Sequence, residues 1–253
     1  MVGIYFSGTG NTKHCVKTFV SQCDSQNLAI SIEDPAAPQQ LLAHDYIVLG
    51  YPVYYSNLPK IVHDFIMTHG QLFRGKKVFI IATMGLASGD GAGCAVRLLE
   101  KHGAEIVGGL HLKMPDNIGD EKALKKTAEE KKALVRSTEE KISLAVQRLK
   151  EGRPPQEGFR ALSRLSGLLM QRLWFRHKVA SYQNKPKINR NVCNGCGICV
   201  SLCPMKNMKV TEKTAEHANK CTLCYRCFSH CPQKAITILG TRIHEQYRFE
   251  KYQ

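Results

Sequence analysis

No stretch of the 253-residue chain approaches the roughly 18 consecutive apolar residues of a membrane-spanning helix, so no integral membrane segment is expected. The first residues read as a strand, without the basic and apolar regions of a cleaved leader. No motif of a nucleic-acid-binding fold is present, and basic charge alone is nonspecific, so no specific nucleic-acid partner is expected. No convincing catalytic acid or nucleophile stands out either: His14 and His63 read equally well as surface residues. Carboxylates are missing altogether between Glu157 and Glu212. What remains is a chain of ordinary hydrophobic content, 43%, with room for about two domains.

The net charge of +15 is unevenly shared. Residues 1–157 hold 19 Lys and Arg against 17 Asp and Glu, whereas residues 158–253 hold 17 against 4. The second part is therefore strongly basic, and such a surface steers acidic partners towards it.

That basic part carries eight of the eleven cysteines. Cys193, Cys196, Cys199 and Cys203 precede Pro204, and the same run recurs as Cys221, Cys224, Cys227 and Cys231 before Pro232. Each run is C-x2-C-x2-C-x3-C-P, the spacing that ligates [4Fe–4S] clusters. Three thiolates at i, i+3 and i+6 wrap one face of an iron–sulfur cube. The next cysteine is too close along the chain to finish that cube without strain, so it crosses to the other one. Cluster A then takes Cys193, Cys196, Cys199 and Cys231, and cluster B takes Cys221, Cys224, Cys227 and Cys203. A structural zinc site is the competing reading, but zinc takes four ligands as two C-x2-C pairs across a longer spacer. The other cysteines, Cys15, Cys23 and Cys94, read as small buried hydrophobes in a reducing cytoplasm.

These runs resemble the two-[4Fe–4S] bacterial ferredoxins over roughly the last 65 residues. A 28-residue internal repeat supports the likeness: Cys203 onwards aligns with Cys231 onwards, sharing Lys206 and Lys234. Met208 and Val210, with Ile236 and Ile238, fit short strands covering the clusters. The resemblance implies electron transfer. Unlike the commonly acidic ferredoxins of this type, the surroundings here are basic, which should raise the cluster potentials.

At the other end, an apolar strand, Val2 to Phe6, runs into Ser7-Gly8-Thr9-Gly10-Asn11-Thr12 and then an amphipathic helix to about Cys23. Exposed N–H groups and the positive helix end make such a loop an anion site. It is neither a Walker A loop nor the dinucleotide fingerprint. It resembles the phosphate loop of the flavodoxins. Strands at Leu28–Ile32, Asp45–Tyr51, Lys77–Thr83 and Glu105–Lys113 alternate with helices after Pro59 and from about Gly91. This pattern predicts a doubly wound parallel sheet, and the flavodoxin-like order 2-1-3-4-5 puts a ligand crevice at the carboxyl ends of strands one and three. The resemblance implies FMN there, held by three loops. They are the phosphate loop, the segment Pro52, Val53, Tyr54 and Tyr55 with its stacking rings, and the segment Thr83, Met84, Gly85, Gly89 and Gly91. Flavodoxins often carry a glycine whose peptide flips to stabilise the one-electron-reduced flavin. Pro52 and its bulky neighbours replace it, so that property is not carried over. Met114-Pro115-Asp116-Asn117 follows strand five and either borders the crevice or stops the strand.

Residues from about Asp120 to Lys150 read as one long helix with Ala128, Val135, Ile142 and Leu149 on one stripe and Lys131 among its polar positions. Gly152-Arg153-Pro154-Pro155 opens a linker. Leu162, Leu165, Leu169 and Leu173, with Arg164, Arg172, Arg176, Lys178, Trp174 and Phe175, form a basic amphipathic segment that fits packing between domains or contact with an anionic membrane surface. The expected organisation is an α/β flavodoxin-like domain over 1–152, this linker over 153–187, and a small α+β dicluster ferredoxin domain over 188–253. The whole resembles fused flavodoxin–ferredoxin proteins of anaerobes. That resemblance implies FMN and two [4Fe–4S] clusters relaying electrons for an acidic protein redox partner in the cytoplasm. An FMN-dependent oxidoreductase acting on a small organic acceptor is the alternative.

Overall fold

The computed structural model describes residues 1–54, 56–86, 90–122, 125–158 and 185–252. Strands β1 (Val2–Tyr5), β2 (Leu28–Ser31), β3 (Tyr46–Pro52), β4 (Lys77–Met84) and β5 (Glu105–Lys113) form one parallel sheet in the order β2-β1-β3-β4-β5. The central strands are apolar throughout because both faces are covered: all but one residue of β4 is buried. Helices α2 (Ala37–Ala43), α3 (Lys60–His69) and α4 (Gly91–Lys101) cover one face through Leu41, Val62, Ile66, Ala95 and Leu99. On the other, α1 (Asn11–Cys23) and α5 (Ala128–Lys150) pack Val16, Phe19, Val135 and Ile142 against Phe79 and Ile81. The short helix α2 carries too little periodicity to announce itself in the sequence.

The helix expected from about Asp120 to Lys150 is shorter than that span and matches the extent of its apolar stripe. It begins at Ala128, where the Thr127 hydroxyl accepts from the Glu130 N–H and the Glu130 carboxylate accepts from the Thr127 N–H, a closed capping box. Residues 114–122 are irregular because their polar groups are used elsewhere. Asp120, 2% exposed, accepts hydrogen bonds from the Tyr225 hydroxyl (2.8 Å) and the N–H groups of Ile238 (2.6 Å) and Leu239 (3.0 Å). Lys131 also departs from expectation. It is buried, paired with Glu245 and set over the Tyr252 ring.

The cysteine-rich part is built around two small antiparallel ladders. Strand β6 (Lys187–Ile188) pairs with β9 (Ile236–Thr237), and β7 (Met208–Thr211) pairs with β8 (Thr214–His217). Short helices α6 (Ile198–Ser201) and α7 (Arg226–His230) begin at the third residue after Gly195 and Leu223 in the two repeats. The chain then returns to the sheet domain. Phe249 N–H donates to the Thr9 carbonyl (2.9 Å), and the Phe249 ring stacks on His14 with centroids 4.3 Å apart. Residues 155–157, within the expected linker, run along β5, where Gly109 N–H donates to Pro155 and Glu157 N–H to Gly109. The basic amphipathic stretch from Leu162 to Lys178 lies outside the described residues.

Candidate functional site

Three loops meet at the carboxyl ends of β1, β3 and β4 around a cavity of about 340 Å³. Ser7, Gly8, Thr9, Asn11 and Thr12 line it from the first loop, Pro52, Val53 and Tyr54 from the second, and Thr83, Met84 and Gly85 from the third. Local bonds hold them in register. Gly10 N–H donates to the Ser7 hydroxyl (3.1 Å), and the buried Thr12 and Thr83 hydroxyls share a hydrogen bond of 2.7 Å. Gly10 has φ +105° and precedes the helix directly, with the Phe249 side chain against its Cα, so it shapes the loop without lining the cavity. Gly91 also stands outside the lining; its carbonyl accepts from the buried Tyr51 hydroxyl (3.0 Å). The Asn11 amide is committed at both ends, donating to the Pro115 carbonyl (2.8 Å) and accepting from the Tyr247 hydroxyl (2.6 Å). Tyr55 and Gly89 lie outside the described residues.

Met114 to Asn117 also line this cavity, the first of the two readings of that segment. No pattern in the sequence singled out its other lining residues, Leu223, Tyr225 and Leu239, which reach it from the cysteine-rich part. The Asp116 carboxyl is pushed above its usual range by burial, against the opposing effect of the Ile118 and Asn117 N–H groups. Tyr54 closes one side. Burial drives its phenol well above the usual value, and its hydroxyl has no hydrogen-bond partner among the described residues. His14 bonds Glu139 (2.7 Å) and His63 is exposed beside Asp64, so neither borders the cavity.

The eight cysteines of the two runs separate into two groups of four. One small cavity is lined by Cys193, Cys196, Cys199 and Cys231, and a second by Cys203, Cys221, Cys224 and Cys227. Each cage takes three thiols from one run and its fourth from the other, which fits the crossed ligation of two cube-shaped clusters rather than the paired C-x2-C ligands of zinc. Backbone N–H groups point at the sulfurs: Asn207 at Cys203, Ala215 at Cys193, Leu223 at Cys221 and Ala235 at Cys231, all at 3.3–3.4 Å. Such bonds favour the thiolate and the more negative reduced state. Burial first, with neighbouring thiols adding to it, pushes the Cys221 thiol up to about 12 and Cys224 to about 11 despite backbone N–H groups that favour the thiolate, so bound iron is what would hold them ionised.

The cages differ in their distance from the loop cavity. Leu223 and Tyr225, which line that cavity, alternate in sequence with the second cage's Cys221, Cys224 and Cys227. Cys224 itself packs within the hydrophobic core of the sheet domain. The Asn117 amide donates to its carbonyl (3.3 Å), and a methyl group on Gly8 would collide with that carbonyl oxygen.

Residues 3–108 match the family model of a flavodoxin domain and residues 185–232 that of a 4Fe-4S dicluster domain. No curated protein matches the chain in sequence. Among solved structures, the two-electron reduced flavodoxin of Megasphaera elsdenii is 27% identical, covering 46% of this chain and 90% of its own, with a TM-score of 0.42. The oxidised flavodoxin 2 of Bacillus cereus is 22% identical over 59% and 97%, TM-score 0.44. The FMN-bound flavodoxin of Fusobacterium nucleatum is 16% identical over 59% and 96%, TM-score 0.42. The two family matches define a fusion of a flavodoxin domain with a 4Fe–4S dicluster domain. It is an electron-transfer flavin and iron–sulfur protein, with FMN and [4Fe–4S] clusters as its cofactors. Among the described residues no helix is long and apolar enough to cross a membrane.

Proposed function

We propose that this chain is a relay in which FMN exchanges electrons with cluster B, cluster B with cluster A, and cluster A with an external redox protein. The observation that carries this order is that Leu223 and Tyr225, from the second cysteine run, line the flavin-type cavity. In this reading Ser7, Gly8, Thr9 and Thr12 hold the phosphate, Tyr54 and its neighbours flank the ring system, and the two cages hold one cluster each. FMN takes one or two electrons whereas each cluster carries one, so their combination converts between two-electron and one-electron chemistry. The protein's part is to hold the centres close and to keep water away from the path between them. Val53, Met84, Leu223 and Leu239 do so around the cavity.

The external partner is an acidic redox protein that meets cluster A in the cytoplasm. Cys196 is exposed, as are the apolar side chains of Val192, Ile198, Val200 and Val210 around the first run. Arg190, Lys209 and Lys213 are exposed in the same part of the chain, and Arg190 and Lys209 share the single carboxylate of Glu216, which leaves net positive charge for steering. The functional units are residues 1–152 and 188–253 joined by 153–187, with residues 244–252 strapped back onto the first unit. The test is anaerobic reconstitution followed by rapid reduction. About one FMN with about eight iron and eight sulfide per chain, and flavin–cluster equilibration within one molecule, support the relay. Clusters without flavin, or equilibration that depends on protein concentration, overturn it.

A further inference from the structure

We infer that Arg226, contributed by the cluster domain, is a positioning residue of the flavin phosphate loop. Its side chain leaves the second cysteine run two residues after Cys224 and crosses to the flavodoxin domain. The guanidinium donates to the Ser7 carbonyl (2.8 Å) and the Gly8 carbonyl (3.4 Å). It also pairs with Glu33, just beyond β2, through both terminal nitrogens (2.8 and 2.7 Å). A further bond goes to the carbonyl of Leu202, the residue before Cys203 of the second cage (3.2 Å). One planar fork thus pins the phosphate loop to both chain segments that supply cluster B ligands.

The direction of these bonds gives them a consequence for ligand binding. In a trans peptide the N–H points away from the carbonyl of the same unit. Holding the Ser7 and Gly8 carbonyls on Arg226 therefore aims the Gly8 and Thr9 N–H groups to the opposite side of the loop. Neither of those N–H groups meets an acceptor among the described residues, and both residues line the cavity. A loop whose N–H groups converge is the cradle a phosphate needs. Glu33 neutralises the guanidinium, so Arg226 orders the cradle rather than competing as a second anion site. The corresponding position of the first repeat, 28 residues earlier, is Ile198, which is exposed and bonds nothing of this kind. The inference rests on the FMN reading above. It adds that the cluster domain completes the FMN site, so flavin affinity depends on a residue outside the flavodoxin domain.

The test compares FMN and riboflavin binding, by flavin fluorescence, in the cluster-loaded full chain and its Arg226→Ala, Arg226→Lys and Glu33→Gln variants. Arg226→Ala is expected to weaken FMN roughly tenfold or more, the scale of losing hydrogen bonds to a charged group, and to leave riboflavin affinity unchanged. Arg226→Lys and Glu33→Gln are expected to fall between. A merely structural loosening would weaken both ligands together and would overturn the assignment, as would wild-type FMN affinity in a cluster-loaded Arg226→Ala chain. If Arg226→Ala does not assemble, wild-type FMN affinity in both milder variants is the contradicting result. A wild-type chain that binds no FMN would instead defeat the underlying flavin reading.

Discussion

The two cysteine runs share spacing and closing prolines, yet one faces solvent and the other is buried against the flavodoxin domain. Cys196 is exposed and its counterpart Cys224 is buried. Lys206 and Lys234, equivalent in the repeat, share a left-handed backbone with φ +49° and +50°. The runs diverge where the second meets the flavin cavity. Gly195 and Gly197 adopt φ +69° and +77°, whereas Leu223 and Tyr225 hold φ +59° and +58° in the same places. A side-chain-bearing residue there costs about 1–2 kcal/mol. At these two positions the second run carries side chains that line the cavity, where the first run, which does not touch it, has glycine. Duplication supplied two equivalent cages; docking made one of them internal.

Removing one cage at a time should break this equivalence most visibly. Cys224→Ala is expected to lose cluster B together with most of the bound flavin, while Cys196→Ala perturbs only cluster A; iron and flavin counted per chain report both. Equal flavin loss in the two variants would mean that the cavity does not distinguish the runs. Next in size, Gly8→Ala forces a methyl group onto the Cys224 carbonyl and should lower FMN affinity about tenfold or more, measured by fluorescence titration.

Stability changes should follow the same asymmetry. Tyr225→Phe leaves Asp120 without its hydroxyl donor inside the interface and is expected to cost about 1–3 kcal/mol in urea unfolding. Gly197→Ala, in open space, should cost about 1 kcal/mol from backbone strain alone and leave both clusters in place. An unfolding midpoint moved more by Gly197→Ala than by Tyr225→Phe would argue against the buried junction. The smallest effect concerns the returning tail. Burial alone would raise the Glu245 carboxyl, but the Lys131 ammonium and Tyr252 hydroxyl outweigh it and hold it below its usual 4.5. Its contribution is complete above that value and is lost as pH falls through the depressed one. Amide exchange in residues 244–252 should therefore quicken on acidification before that of the central strands; uniform protection at low pH would contradict it.

Much of the fold was legible because its signals are local. The strand–loop–helix start at Val2, the apolar strands and the boundaries of α4 and β5 follow from periodicity alone, and the cysteine spacing divides the thiols into the same two groups of four that line the two small cavities. The junction was illegible for a physical reason. Asp120, Asn117 and Lys131 look like ordinary helix or loop polar residues, and only tertiary placement gives them Tyr225, the Cys224 carbonyl and Glu245 as partners. The expected helix was drawn back to Asp120, beyond its apolar stripe, but that carboxylate serves three long-range donors instead. Likewise Leu223 and Tyr225 read as spacers between ligands, and nothing in a C-x2-C run says that a spacer will line a second cofactor's cavity.

The most direct measurement is flavin–cluster electron exchange in the Cys196→Ala chain, followed after rapid photoreduction with cluster B verified by EPR. If cluster B is the flavin's neighbour, exchange should proceed at the wild-type rate although cluster A is lost. Exchange reduced to background in that chain, with cluster B intact, would show that electrons reach the flavin through cluster A and would contradict the order FMN, cluster B, cluster A.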